Sequence, residues 1–144
     1  MIKTKKKFGK GLFLVNALAI VHRGNKILIG KRKLPDPYIK KLTWSFPGGR
    51  LYHTKSLEDS LKTEIKKKTN LNVKVKKLIF ARVWPARKEF LLLYFYCEPV
   101  SGKEKAGEKF TEIKWVKPTE VKKYFTTNVD SFIMNFLRKL EKKP

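Results

Sequence analysis

The arrangement of apolar residues differs between the first third of the chain, where it predicts strands, and the segment that begins at Ser56. Stretches rich in apolar residues cover residues 13–22 and 26–30, and Arg23-Gly24-Asn25 between them is typical of a hairpin turn. Residues 31–43, which include Pro35 and Pro37, are predicted to be a loop, and residues 44–46 a short strand. The first third is therefore expected to form a hairpin, a loop and one further strand.

The pattern changes to a helical period at Ser56. Leu57, Leu61 and Ile65 recur every four residues and predict the apolar stripe of a helix over residues 56–69. Ser56 is a favoured N-cap residue, acids follow it in the first turn and lysines occupy the last turn, which suits the helix dipole. Asn70 fits the left-handed position that ends many helices.

Strands and helices alternate again in the second half. Strands are predicted over residues 73–84, 89–98 and 111–116, and helices from Pro118 and over residues 130–143. The strand over residues 89–98 is apolar on both faces, so we expect it to be central in a sheet with both faces covered. The terminal helix presents an apolar stripe of Phe132, Ile133, Phe136, Leu137 and Leu140. This order predicts an α/β fold with a mixed sheet between helical layers.

Length and composition limit the classes of protein. The chain has 144 residues, the size of one domain, to which we assign residues 11–144. At 42% hydrophobic residues it can bury a core, and no run of about 18 apolar residues predicts a membrane-crossing helix. Cys97 is the only cysteine, which excludes an intrachain disulfide and a cysteine-based zinc site. We expect a cytoplasmic protein without a membrane partner.

Positive charge, formally +23, is the unusual feature of the composition. Residues 1–57 hold fourteen Lys and Arg and a single acid, Asp36, and residues 1–10 are predicted to be a basic N-terminal arm. Such charge attracts polyanions, so nucleotide or RNA phosphates are the expected partners. Compositional drift towards lysine is the alternative explanation.

Candidate chemistry begins at Pro47-Gly48-Gly49, which ends a predicted strand seven residues before the capped helix. Glycines let the backbone pass close to a ligand, and a helix N-terminus presents unpaired N–H groups. Strand, glycine pair and helix together are consistent with phosphate binding at Gly48 and Gly49, and also with a simple tight turn.

In its surroundings this segment resembles the Nudix family, over residues 14–136. The resemblance rests on residues 17–21, 27–32, 44–49, 56–69 and 112–116. The family signature is G-x5-E-x7-R-E-U-x-E-E-x-G-U, with U aliphatic, and this chain keeps four of its positions as Gly49, Glu64, Ile65 and Leu71. The remaining positions are changed, to Lys55, Thr63, Lys67, Lys68 and Asn70. The Gly-Gly-Arg start is also similar to the GDP-mannose mannosyl hydrolase branch.

The resemblance implies a Nudix-like α/β/α sandwich that cleaves a nucleoside diphosphate linked to another moiety, using Mg²⁺ or Mn²⁺. Lysines replace most of the carboxylates of the signature, whereas Mg²⁺ needs oxygen ligands. Our first hypothesis is therefore a protein that recognises nucleoside-diphosphate-type or RNA phosphates, with hydrolysis weak or lost and with no cofactor. The alternatives are an active Nudix hydrolase that uses Glu64 with acids outside the signature, and an RNA-binding structural subunit of a ribonucleoprotein. Because Nudix proteins are often dimers, a homodimer is a further expectation from the resemblance.

Glu64 and Lys68 are spaced i, i+4 on the predicted helix, with the acid on the N-terminal side, which favours an ion pair. We hypothesise that the Lys68 ammonium, with Lys67, occupies the place of the family's metal and neutralises Glu64. The alternative is that residues 66–68 are only a solvated helix end.

The other candidate site residues come partly from the resemblance and partly from the chemistry and position of the residues themselves. Glu64 and the loop residue His53 are the candidate catalytic groups, and Glu108 and Glu112 would join Glu64 as ligands if a metal binds. Base or ribose contacts are assigned to Trp84, Tyr52 and Asp36. Phosphate binding is assigned to seven positions: Gly48, Gly49, Arg50, Arg32, Lys55, Lys67 and Lys68.

Overall fold

The protein is described from a computed structural model that covers residues 11–34, 36, 42–53 and 55–142. The predicted basic arm, residues 1–10, lies outside the described residues. Within these ranges the chain forms seven strands, three α-helices and a 3-10 turn, Pro118–Glu120. The strands are β1 Leu14–Arg23, β2 Lys26–Arg32, β3 Trp44–Ser45, β4 Gly48–Arg50, β5 Asn72–Val83, β6 Phe90–Ser101 and β7 Phe110–Val116. The helices are α1 Leu57–Thr69, α2 Val121–Tyr124 and α3 Ser131–Glu141.

The strands form a mixed sheet in the order β3-β2-β1-β6-β5. β1 runs parallel to β6, with Leu14 opposite Phe90 and Val21 opposite Cys97, and β5 is antiparallel to β6. β6 lies inside the sheet, between β1 and the edge strand β5, and both its faces are covered as expected, although the middle strand of the order is β1. β4 pairs with β1, and β7 pairs with β2.

Two apolar cores cover the two faces of the sheet and confirm the predicted α/β architecture. On one face Leu61 and Ile65 of α1 pack with Ala17, Ala19 and Cys97. On the other face α3 packs against β1 and β6; this cluster includes Ile133, Met134, Leu137 and Leu140 with Ile20, Phe90, Leu92 and Tyr94. Successive residues of β1 and β6 contribute to opposite cores because strand side chains alternate between faces.

The capping residues of α1 are those that the sequence predicts. The Ser56 side chain accepts a hydrogen bond from the Asp59 N–H at 3.1 Å, and Asn70 ends the helix at φ 64°. The buried stripe differs at its first position, since Leu57 is 50% exposed in the first turn, beyond the edge of the core. α3 differs in the same way, because Phe132 is half exposed and Met134 is buried.

Each described helix is too short, or too polar, to cross a membrane.

Candidate functional site

The glycine pair forms a short strand that the sequence did not predict. β4 pairs with β1, so that Gly48 lies opposite Leu18 and Gly49 opposite Ala17. Gly48 has φ 154°, and a Cβ atom there would lie 2.0 Å from the Ala17 carbonyl oxygen. A side chain at position 48 would therefore collide with the backbone of β1, and glycine is required for this approach.

The last turn of α1 lies directly against this glycine pair. The Lys68 ammonium donates a hydrogen bond to the Gly48 carbonyl oxygen and lies 3.4 Å from Glu64 Oε1. A Cβ atom on Gly49 would come within 2.7 Å of Glu64 Oε1 and 3.1 Å of Lys68 Nζ. The absence of a side chain at position 49 thus gives these two charged groups room to meet beside β4.

Lys68 is not a solvated helix end, because its side chain is only 10% exposed. Burial lowers the pKa of Lys68 below its ordinary value, Glu64 acts in the opposite sense, and Lys109 and Arg32 lower the pKa further by repulsion. Lys67 is half exposed and lies 3.6 Å from Glu64 Oε2. Each carboxylate oxygen of Glu64 therefore faces a lysine ammonium group.

A cavity of about 280 Å³ opens beside this ion pair. Its cationic lining residues are Arg32, Arg50, Lys68, Arg82 and Lys109. Its aromatic and apolar lining residues include Phe46, Trp84, Phe90, Leu92, Tyr94 and Phe110. Asp36 is the one acid that lines the cavity among the residues the structure describes. The cavity thus joins positive charge to flat apolar walls, a combination that suits a phosphate with an aromatic group attached.

The arginines of the cavity are held by other residues. Arg50 Nε donates to Asn16 Oδ1 at 2.9 Å, and its guanidinium lies 5.5 Å from the centre of the Phe90 ring. Arg32 lies 3.7 Å from Asp36. These contacts orient the guanidinium groups before any ligand arrives, which reduces the entropy lost on binding.

The structure brings part of the predicted set together. Glycines 48 and 49, Arg32, Arg50, Lys68, Asp36, Tyr52 and Trp84 all line the cavity. Lys55 and Lys67 do not line it: Lys55 Nζ instead donates to Thr63 Oγ1 at 2.9 Å on the flank of α1.

None of the predicted catalytic and metal-binding residues lines the cavity, and Glu64 lies outside the lining, paired with the lining residue Lys68. His53 and Glu108 are exposed. Glu112 is on β7 opposite Lys31, and its carboxylate lies 3.9 Å from Lys114 Nζ.

Two of the cationic cavity residues, Arg82 and Lys109, were not among the predicted site residues. Arg82 lies on β5, where it pairs with Asp130 at 3.6 Å, the residue that caps α3. The alternation of β5 indicates that one face points inward, but the sequence alone does not say that a cavity lies there. Lys109 precedes β7 and has a positive φ of 57°, which no local sequence signal predicts.

A mixed sheet between two helical layers, with a strand–glycine–helix segment at one side, defines the class of α/β/α sandwich proteins. The model of the NUDIX domain matches residues 12–136. The chain therefore belongs to the NUDIX family, as the resemblance in its sequence implied. No match to it is found among curated proteins.

Solved structures of Nudix proteins share the fold. A NUDIX hydrolase from Nitrosomonas europaea is similar with a TM-score of 0.74 and 18% identity, over 89% of this chain and 72% of that chain. A MutT protein from Methanosarcina mazei gives 0.70 and 15%, over 92% and 96%. An ADP-ribose pyrophosphatase from Streptococcus suis gives 0.60 and 16%, over 88% and 86%. At these identities the likeness shows a common fold.

The described residues do not fit the divalent metal that the family implies. They contain no group of three or more His, Cys, Asp or Glu side chains placed to hold a metal ion. Glu64, the acid kept from the signature, already faces Lys67 and Lys68. A cation that approached this carboxylate would meet two ammonium groups, so repulsion opposes metal binding.

Proposed function

We propose that this NUDIX-family protein binds the phosphates of a nucleoside-diphosphate-type ligand without a metal ion, and that its metal-dependent hydrolysis is weak or lost. One observation carries the proposal: the buried Lys68 ammonium lies between the Gly48 carbonyl and the Glu64 carboxylate. Two oxygen groups of the kind that hold Mg²⁺ in proteins are thus already in contact with a cation that belongs to the chain itself.

The electrostatics of the cavity support a phosphate ligand. Arg50 has a polar partner, Asn16, and no ion-pair partner is found for it among the described residues. A guanidinium group with free positive charge can hold phosphate through two parallel hydrogen bonds. The aromatic wall includes Trp84, which is only partly buried, so its ring offers a flat surface against which a base can stack.

The name of one structural neighbour, an ADP-ribose pyrophosphatase, agrees with this ligand class. A nucleoside diphosphate attached to a second group also matches the activity implied by the Nudix signature. We therefore expect ligands of this class to occupy the cavity with the diphosphate near Lys68 and the base against the aromatic wall.

Binding without hydrolysis is tested by calorimetric titration with ADP, GDP, UDP and ADP-ribose, in EDTA and again in Mg²⁺. The proposal expects similar affinities with and without Mg²⁺, and no Mg²⁺-dependent release of phosphate or nucleoside monophosphate from the same panel. Paramagnetic broadening by Mn²⁺ gives an independent test. Micromolar Mn²⁺ binding near Glu64, or rapid Mg²⁺-dependent turnover, would contradict the proposal.

A charge reversal at the two lysines tests the cause of the lost metal site. The double variant Lys67→Glu with Lys68→Glu restores the acids of the signature beside Glu64, so we expect it to gain Mn²⁺ binding. Lys62→Glu with Lys66→Glu is the matched control, because both lysines are exposed on the same helix and the change in net charge is equal. Equal Mn²⁺ binding by the two double variants would show that only overall charge matters.

The two alternative functions predict different results in these assays. An active hydrolase would turn over the panel in Mg²⁺, although His53, Glu108 and Glu112 lie outside the cavity lining. An RNA-binding subunit would bind single-stranded RNA much more tightly than a nucleotide, with a steep dependence of the logarithm of affinity on the logarithm of salt concentration.

A further inference from the structure

A turn before β7 holds Lys109 in a conformation that lysine rarely adopts. The Phe110 N–H donates to the Gly107 carbonyl at 2.9 Å, which closes a four-residue turn with Lys109 in its third position. Lys109 has φ 57°, and this position of a turn with positive φ favours glycine or asparagine. A side chain with a Cβ atom is strained there by about 1–2 kcal/mol.

The first residue of this turn is fixed to the C-terminal end of α1. The Gly107 N–H donates to the Lys68 carbonyl at 2.9 Å, and a Cβ atom on Gly107 would lie 2.5 Å from the Lys67 carbonyl oxygen. The Lys105 N–H donates to the Thr69 carbonyl at 2.9 Å. These contacts hold the turn against the C-terminal end of α1. Lys109 is thereby placed on the side of the cavity where Lys68 lies.

The last residue of the turn is fixed as well. Phe110 is 4% exposed, and its ring lies so close to Gly30 that a Cβ atom there would be 2.3 Å from it. The Lys109 carbonyl accepts a hydrogen bond from the Lys33 N–H at 2.8 Å. Packing on both sides thus holds Lys109 in its strained conformation, a situation that is most frequent at functional sites.

The charge of Lys109 is not balanced as the neighbouring charges are. Lys68 is paired with Glu64, and Arg32 with Asp36. Lys109 lines the same cavity, and none of the ion pairs among the described residues includes it. Its repulsion is one of the causes that lower the pKa of Lys68.

We propose that Lys109 is a phosphate-binding residue of this cavity, and that the strained turn exists to present its ammonium group to a diphosphate. The inference rests on the proposed function, because it assigns a residue to the phosphate end of the same site. A lysine at a position that favours glycine is a conflict between local preference and structure, and such conflicts are expected at functional sites. Replacing Lys109 by a residue that adopts positive φ more readily should therefore raise the stability of the fold and lower its affinity for phosphate.

The test is Lys109→Asn, because asparagine accepts positive φ and carries no charge. We expect the variant to melt roughly 2–4 °C above the unmodified protein, because asparagine adopts positive φ more readily than lysine and part of the strain is relieved. We expect its affinity for inorganic pyrophosphate, titrated by calorimetry in EDTA, to fall about tenfold, because a charge-assisted hydrogen bond is lost. Lys109→Arg keeps both the charge and the strain, so its melting temperature and affinity should remain close to those of the unmodified protein.

Lys105→Asn is the matched control, because Lys105 lies in the same loop and is exposed outside the cavity lining. It lowers the net charge equally and should leave pyrophosphate affinity unchanged. Unchanged affinity in Lys109→Asn, or an equal loss in Lys105→Asn, would overturn the role of Lys109 while the proposed function stands. If the unmodified protein binds neither pyrophosphate nor any nucleoside diphosphate, both the role of Lys109 and the proposed function are overturned.

Discussion

Replacing Lys68 by Met removes the ammonium group from between Glu64 and Gly48 but keeps much of the side-chain volume. Lys68 is 10% exposed and Glu64 is 19% exposed, so both charges lie in an environment with little water. The Gly48 carbonyl would lose its hydrogen-bond donor, and Glu64 would keep only the half-exposed Lys67 at 3.6 Å.

The separation of 3.4 Å sets the size of the effect. At an effective dielectric constant of about 20, the attraction between Lys68 and Glu64 is about 5 kcal/mol. The pKa of Lys68 is lowered because the loss of hydration, together with repulsion from Lys109 and Arg32, opposes this attraction. The intact pair therefore adds little net stability, whereas a single charge without its partner is strongly unfavourable.

Unequal effects follow for the two single variants. Glu64→Gln leaves Lys68 buried without its carboxylate and should destabilise the fold by about 3–5 kcal/mol. Lys68→Met should destabilise it by about 1–3 kcal/mol, because Glu64 retains Lys67 while one carbonyl loses its donor. The variant that combines Glu64→Gln with Lys68→Met should be more stable than the sum of the two single changes predicts, with a coupling energy of about 1–3 kcal/mol.

Urea unfolding followed by tryptophan fluorescence at pH 7 measures these free energies. Lys67→Met is the control, because that lysine is half exposed and should contribute no more than about 0.5 kcal/mol. Additivity of the two single changes to within about 0.5 kcal/mol would refute the reasoning. A Lys67→Met variant as unstable as Lys68→Met would refute it too.

The pH dependence of the same comparison gives a further check on Lys68. Its pKa is lowered in the folded state, so the unfolded chain binds the proton more strongly than the folded chain does. The stability of the protein relative to Lys68→Met should therefore rise with pH through the interval that ends at the ordinary value of 10.5. A fall over that interval would contradict the burial of the ammonium group.

Two further predictions concern the backbone at β4 and the acid stability of the fold. Gly48→Ala should destabilise the protein by more than about 3 kcal/mol, since the new Cβ atom would meet the Ala17 carbonyl at 2.0 Å, and a thermal melt followed by circular dichroism will measure this. The pKa of Glu104 is lowered to about 2 by hydrogen bonds from its own backbone N–H and from the side chains of Arg23 and Trp115. Stability from Glu104 is thus present above the ordinary value of 4.5 and lost as the pH falls towards 2, so Glu104→Gln should flatten this part of the stability–pH curve.

Local signals in the sequence were sufficient for most of the elements. The ends of α1 follow from Ser56 and Asn70, because capping depends on hydrogen bonds within a few residues of the helix end. The two apolar faces of β6 predicted a strand covered on both sides, and β6 lies inside the sheet between β1 and β5. β4 was not predicted, because its three residues, two of them glycine, show no alternation of apolar and polar side chains. It is a strand because it pairs with β1, which is distant in the sequence.

The amino-acid sequence by itself determined the family, the order of the elements and the replacement of most signature acids by lysine. It also determined that Glu64 and Lys68 share one helix face, because residues four apart are neighbours on a helix. Only the tertiary structure decided that Lys68 reaches the Gly48 carbonyl, that Lys55 turns to Thr63, and that Lys109 lines the cavity. The Lys55 contact spans only eight residues. The positions of Lys68 and Lys109 depend on elements further apart in the chain, which packing between strands and helices, rather than local preference, brings together.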